Sequence, residues 1–180
     1  MLSLDAEALA ALPRRLTGPI EIGARAVAVE IERKFLLAND GWMAGVVRSE
    51  FLRDGLLARF GGGKVRIRRG EDRAWITVKG PRTGIGRAEF EYGIPLCDVD
   101  ELLSLCVLPH IEKVRHTVPH GGLRWSVDIH QGPLAGIEFA EVELEHPEKL
   151  IEIPPWAGEE VTHDRRYRKA ALLKHDAAFV

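Results

Sequence analysis

The sequence predicts an α+β protein built mainly of antiparallel β structure, and three features carry that prediction. Ionic and apolar residues alternate over many short stretches, the period-two signature of strands with two unlike faces. Glycine-containing turns fall between those stretches at hairpin spacing. Helical signals are few: a spaced apolar row within residues 98–107, and a cap at Thr162 or Asp164 opening a basic helix to about Ala177.

Residues 1–27 read as an extension ahead of a single domain spanning 28–180. Asp5–Leu12 suits a short helix closed by Pro13, and Thr17–Gly23 is turn-like. The first strand is Val29–Leu36, VEIERKFL. Its parity puts Glu30, Glu32 and Lys34 on one face, with Val29, Ile31 and Phe35 on the other. Two such carboxylates lie roughly 7 Å apart along a strand, near enough to share a divalent cation. Asn39 and Asp40 cap a short helix or turn, and a connecting strand follows to Phe60. Gly61-Gly62-Gly63-Lys64 lacks the spacing of a phosphate-binding loop and reads as a turn.

From there the alternation is strong. Lys64, Arg66 and Arg68 alternate with Val65 and Ile67; Thr77 and Lys79 alternate with Ile76 and Val78. Past Gly80-Pro81 and a loop to Gly86, Arg87, Glu89 and Glu91 alternate with Ala88, Phe90 and Tyr92. Val99, Leu102, Leu103 and Cys106 then mark one side of a helix. Lys113 and Arg115 open the next strand, against Val114 and Val118. Gly121-Gly122 turns the chain into Arg124, Ser126 and Asp128, set against Trp125, Val127 and Ile129. Gly132-Pro133 turns it again into Glu141 and Glu143, set against Val142 and Leu144. Trp75 and Trp125 are assigned to the apolar rows, as packing under helices.

Composition narrows the function. The chain is 46% hydrophobic and 29% charged with net charge −2, a balance that argues against bulk nucleic-acid binding. Cys97 and Cys106 read as buried thiols of a reducing compartment rather than a disulfide framework. No apolar run reaches the roughly 18 residues of a membrane span. Asp5 and Glu7 occupy the place of a signal peptide, so the expected location is cytoplasmic. His116 and His120 are four apart, but Pro119 and the strand pattern deny them helical zinc geometry.

Two architectures suit these rows. In one, a barrel or sandwich buries its apolar rows and wets the charges. In the other, the charged rows point into a closed barrel and the apolar rows face outward under helices. The inverted form is favoured by repeated Glu-x-Glu and Arg-x-Arg pairs, by segregation of sign by strand, and by the two helical segments. Like charges in one row repel unless an ion offsets them. Periodicity leaves both open.

The ordered set Glu-x-Glu-x-Lys, KVRIR, TVKG, RAEFEY, IEKVR, WSVD, AEVEL and VTHDRRY, from about Val29 to Leu173, resembles the CYTH domain of the triphosphate tunnel metalloenzymes. The resemblance implies an eight-stranded closed antiparallel β-barrel with a charged lumen and flanking helices. That lumen would bind a triphosphate with Mg²⁺ or Mn²⁺. Position by position, Glu30, Glu32 and Lys34 match the family's catalytic strand. Arg66, Arg68, Lys79, Arg87, Lys113 and Arg115 match its phosphate-holding bases. Glu141 and Glu143 complete the metal set with Glu30 and Glu32, and Asp128, Glu89 and Glu91 are further candidates. The chain departs from the pattern in its long lead, in Ser126 where relatives often carry an acid, and in Arg168 after Tyr167.

The implied reaction is metal-dependent hydrolysis of inorganic tripolyphosphate to pyrophosphate and phosphate. The rivals are an organic triphosphatase, an adenylate cyclase, or a non-catalytic polyphosphate or nucleotide binder. The expected partner is a small-molecule triphosphate, without nucleic acid or membrane, and the chain could also pair as a homodimer.

Overall fold

Among the described residues, the alternating rows form nine strands, with an α-helix between the fifth and the sixth. The computed structural model describes residues 29–106, 109–168 and 171–172. The strands are β1 (Val29–Leu37), β2 (Arg48–Phe60), β3 (Gly63–Arg69), β4 (Ala74–Lys79) and β5 (Gly86–Ile94). The helix α1 (Leu96–Ser104) leads into β6 (Ile111–His120), β7 (Leu123–Gln131), β8 (Glu138–Glu143) and β9 (Ala157–Glu160). The helix and turn expected within residues 1–27 lie outside the described residues.

All pairings between strands are antiparallel, in the order β5-β4-β3-β2-β6-β7-β8-β1. β1 closes the circuit by dividing its length. Its residues Val29–Ile31 pair with Gly86–Ala88 of β5, and Glu32–Leu36 pair with Phe139–Glu143 of β8. Eight strands therefore form a ring. The edge of β1 that β5 leaves free is taken by β9, through Phe35↔Glu160 and Leu37↔Ala157.

Parity now decides what faces the bore. Registers such as Glu32↔Glu143, Lys34↔Glu141, Arg115↔Asp128 and Lys64↔Lys79 put the ionic rows on one common face. The apolar rows turn outward and are covered in two places. Ile67 and Ala74 pack beneath Val99 and Leu103 of α1, as the helical spacing predicts. Across β1, β6, β7 and β8, Ile31, Phe35, Val118, Trp125, Val127 and Val142 pack with Trp42 and Trp156.

That second cover includes segments that the alternation did not mark. Among the described residues it comes from the short 3₁₀ turn Asp40–Gly45 and from the segment leading through Trp156 into β9. Asp164 does cap a start, accepting from Arg166 N at 2.9 Å at the 3₁₀ turn Arg165–Tyr167, and beyond it the described residues Ala171 and Leu172 are helical, both donating to Arg168 O. Residues 169–170 and 173–177 of the expected helix lie outside the described residues. Trp125 is an outer-face packing residue, between Phe35 and Trp156 rings. Trp75 is not: it pairs with Arg68 and shares the parity of Thr77 and Lys79, with the Arg73 guanidinium over its ring. Cys97 is exposed rather than buried, because it sits on the outer side of the first turn of α1. No described helix is long and apolar enough to cross a membrane.

Candidate active site in the bore of the ring

The ionic rows converge on a cavity of about 720 Å³. Glu30, Glu32, Lys34, Arg66, Arg68, Lys79, Arg87, Glu89, Glu91, Arg115, Glu141 and Glu143 all line it. Strand parity accounts for this, since each row enters from a different stave of the ring.

The acids and bases are cross-linked. Glu30 receives Lys79 Nζ at 2.7 Å and Arg87 Nε at 2.5 Å, and Lys79 also donates to Glu89 at 2.7 Å. Burial works to raise the Glu30 carboxyl, but Lys79 and Arg87 together hold it far below its usual range. Lys34 sits 3.0 Å from Glu141 and 4.8 Å from the Phe139 ring centroid. Burial lowers the Lys34 ammonium, and Glu141 and Glu32 more than offset that, so it stays charged. Arg66 donates to Thr77 Oγ1 at 3.0 Å and to Glu91 at 3.2 Å. Its guanidinium is pushed down by burial and by neighbouring Arg68, an excess of positive charge suited to an anion.

Glu143 differs from the other carboxylates. It stands across the ladder from Glu32 and makes no hydrogen bond or ion pair among the described residues. Burial, then Glu30 and Glu32, push its carboxyl up.

Two expected site residues do not reach the cavity. Lys113 and Asp128 are 0% exposed and bonded to each other beneath the wall. Asp128 also takes a two-pronged bond from Arg115, at 2.6 and 2.8 Å. Lys113 and Asp128, expected to grip phosphate and to ligate metal, are thus enclosed below the cavity lining, where Asp128 holds Arg115 in place. Burial would raise Asp128, but Lys113 and Arg115 draw it strongly down.

The structure adds residues that periodicity passed over. Asp54, 5% exposed, accepts both prongs of Arg68 at 2.7 and 2.8 Å. A register shift between Leu56 and Ala58 breaks the alternation of β2, so no parity signal marked it. Arg82 reaches Glu32 from the β4–β5 loop at 2.6 Å, where no period exists to read. Thr162, Asp164, Tyr167 and Arg168 line the cavity from the segment after β9.

A profile of the CYTH domain matches residues 28–175. The chain belongs to the CYTH domain family. Two relatives are each named inorganic triphosphatase. One, from Acetivibrio thermocellus, is 37% identical over 147 residues, covering 81% of this chain and 94% of that protein. The other, from Nitrosomonas europaea, is 33% identical over 148 residues, covering 79% and 95%. The crystal structure of an inorganic triphosphatase superposes with a TM-score of 0.59 at 30% identity, over 80% of this chain and 93% of that one. A protein from Pyrococcus furiosus, 18% identical with a TM-score of 0.54 over 66% and 80% of the two chains, shares the fold.

A CYTH ring of this composition offers hard oxygen donors. Mg²⁺ and Mn²⁺ take carboxylate and phosphate oxygens and keep several waters. Among the described residues, no three of His, Cys, Asp and Glu are already gathered for one ion. Glu32 and Glu143 are nonetheless opposed on one wall, and like-charge crowding around Glu143 is what a cation there would relieve. Glu30 is the third carboxylate of that crowd. The donor set fits.

Proposed function

We propose that this CYTH protein hydrolyses a triphosphate inside the ring, with inorganic tripolyphosphate as substrate and pyrophosphate and orthophosphate as products. The observation that carries the reading is one cavity of about 720 Å³ whose lining brings carboxylates, Glu30, Glu32 and Glu143 among them, together with Arg66, Arg68, Lys79, Arg87 and Arg115. The two relatives named inorganic triphosphatase support it.

Each residue group has a task. Arg66 and Arg68, with Arg115 fixed by Asp128, spread positive charge along the bore and hold phosphoryl oxygens. Lys34 adds a charged ammonium beside Glu141. Glu30, Glu32 and Glu143 would hold Mg²⁺ or Mn²⁺, which when bound supplies neutralisation of phosphoryl charge and a more acidic water. Water attacks the terminal phosphorus, the bond from that phosphorus to the bridging oxygen breaks, and pyrophosphate leaves with that oxygen. A carboxylate of the same wall takes the water's proton. The basic rows favour the charge that gathers on the leaving group, which is where such catalysis draws most of its rate.

A base or thiazolium ring would need a stacking partner. Phe90 and Tyr167 are the aromatic residues among the described lining, and they make no ring contact with each other. The test is a substrate panel at one pH: tripolyphosphate, thiamine triphosphate and ATP, each with Mg²⁺, with Mn²⁺ and with chelator. Fast orthophosphate release from tripolyphosphate, only with metal, is expected. Faster turnover of thiamine triphosphate or cyclisation of ATP would reassign the substrate. Tight triphosphate binding without turnover at any metal concentration would make the protein a binder.

A further inference from the structure

The loop between β4 and β5 is rigidly docked, yet it carries one long charged side chain into the cavity. Gly80 N donates to Ala88 O at 2.8 Å, and Thr83 and Gly86 exchange backbone bonds at 2.9 and 3.1 Å. Gly84 takes φ +60°, a left-handed turn that glycine adopts without strain. Arg82 extends from this fixed base to Glu32, Nη2 to Oε1 at 2.6 Å, with Nη1 3.4 Å from Ile85 O. Its ion pair among the described residues is with Glu32 alone. Arg87 lies 3.8 Å from the same carboxylate but is engaged with Glu30 at 2.5 Å.

Glu32 thus has a cation that its strand register does not supply, whereas Glu143 opposite makes no ion pair among the described residues. We propose that Arg82 is an exchangeable counter-cation: it neutralises Glu32 until a divalent cation takes that carboxylate, then turns to a phosphate oxygen of the bound triphosphate. This rests on the reading of the cavity given above.

The physical case is competition. A guanidinium and a divalent cation repel one another on a shared carboxylate, so one displaces the other. The freed guanidinium keeps a planar fork that matches phosphate better than any other nearby acceptor, and a fixed loop lets it turn by rotamer change alone. Metal and Arg82 are therefore linked in opposition in the empty protein and act together once triphosphate is bound.

The experiment is calorimetric titration of the metal-free full chain with Mn²⁺, without triphosphate, for wild type, Arg82→Ala and Arg82→Lys. Steady-state hydrolysis of tripolyphosphate is measured beside it. Arg82→Ala is expected to bind Mn²⁺ roughly three- to thirty-fold tighter, as loss of one like charge beside the ion would give. Its KM for tripolyphosphate should rise about tenfold, a lost charged hydrogen bond being worth about that much. Arg82→Lys should keep the weak Mn²⁺ binding of the wild type while recovering part of the KM. Arg82→Gln, which keeps the reach without the charge, carries the same expectation as Ala should the Ala variant not fold.

An arginine that only pins the loop would lower the melting temperature and leave Mn²⁺ affinity unmoved. Unchanged or weaker Mn²⁺ binding in the folded variants therefore overturns the exchange, while metal-dependent turnover of tripolyphosphate by the wild type would leave the hydrolase reading standing. A wild type that turns over no triphosphate with any metal overturns the hydrolase reading instead, whatever the Mn²⁺ titration shows.

Discussion

Glu32 and Glu143 face each other directly across the β1–β8 ladder, two carboxylates on one wall of the cavity. Burial and the charges of Glu30 and Glu32 raise the Glu143 carboxyl above its ordinary 4.5. A carboxyl raised in the folded state binds its proton more tightly there than in the unfolded chain. Its ionisation therefore costs stability, a cost absent well below pH 4.5 and growing as pH rises through the raised value. Glu143→Gln is expected to melt higher than wild type at pH 7 in chelator, and the difference should shrink in acid. Added Mn²⁺ should reverse the order, since a ligand at a hundred times its Kd stabilises its site by about 2.7 kcal/mol. Thermal melts with and without metal check both. A lower melting temperature for the variant in chelator at pH 7 would contradict this.

Asp54 has the opposite sign. Burial would raise it, but Arg68 and Arg66 hold it well below 3.8. Asp128 and Glu30 are depressed likewise by their cations. Stability from these pairs is present above the ordinary carboxylate range and is lost as pH falls through the depressed values. Asp54→Ala leaves the largely enclosed Arg68 without the acid that takes both its prongs, while Arg66 keeps Glu91, and should cost about 3 kcal/mol by urea denaturation. Acid unfolding should begin below about pH 4 in the wild type and earlier in that variant.

Gly55 lies where α1 crosses β2. A methyl group there would run into Cys106 Sγ and stand 2.8 Å from Leu103 Cδ2. Gly55→Ala should cost about 1–3 kcal/mol through overpacking, read as a shift of the urea midpoint at constant slope. An unchanged midpoint would mean that α1 packs elsewhere.

Much of this architecture was legible because parity is a local property. Alternation along Glu30–Lys34, Lys64–Arg68 and Glu141–Glu143 states which side chains share a face, and the structure turns those faces to one bore. Closure was implied by the family resemblance and not by parity, since β1 divides its pairing between β5 and β8 and nothing local encodes that split. Asp54 was hidden by the register shift in β2, and Arg82 by lying in a loop. Lys113 and Asp128 show the limit from the other side. Parity places them on the ionic face, but only tertiary packing puts Lys113 and Asp128 below the cavity wall, beneath Arg115. The cover over Trp125 was missed because Trp42 and Trp156 come from short irregular segments without a period.

The central claim is that the acids and bases of this bore work on one bound triphosphate. Orthophosphate release from tripolyphosphate, followed with saturating Mg²⁺ or Mn²⁺ in wild type, Glu32→Gln and Arg66→Ala, tests it most directly. Wild type should turn over. Glu32→Gln is expected to lose most of kcat. Arg66→Ala should lose about 10²–10³ in kcat/KM, as removal of one charged contact to a transferring phosphoryl group does. Equal rates in all three proteins would contradict the account.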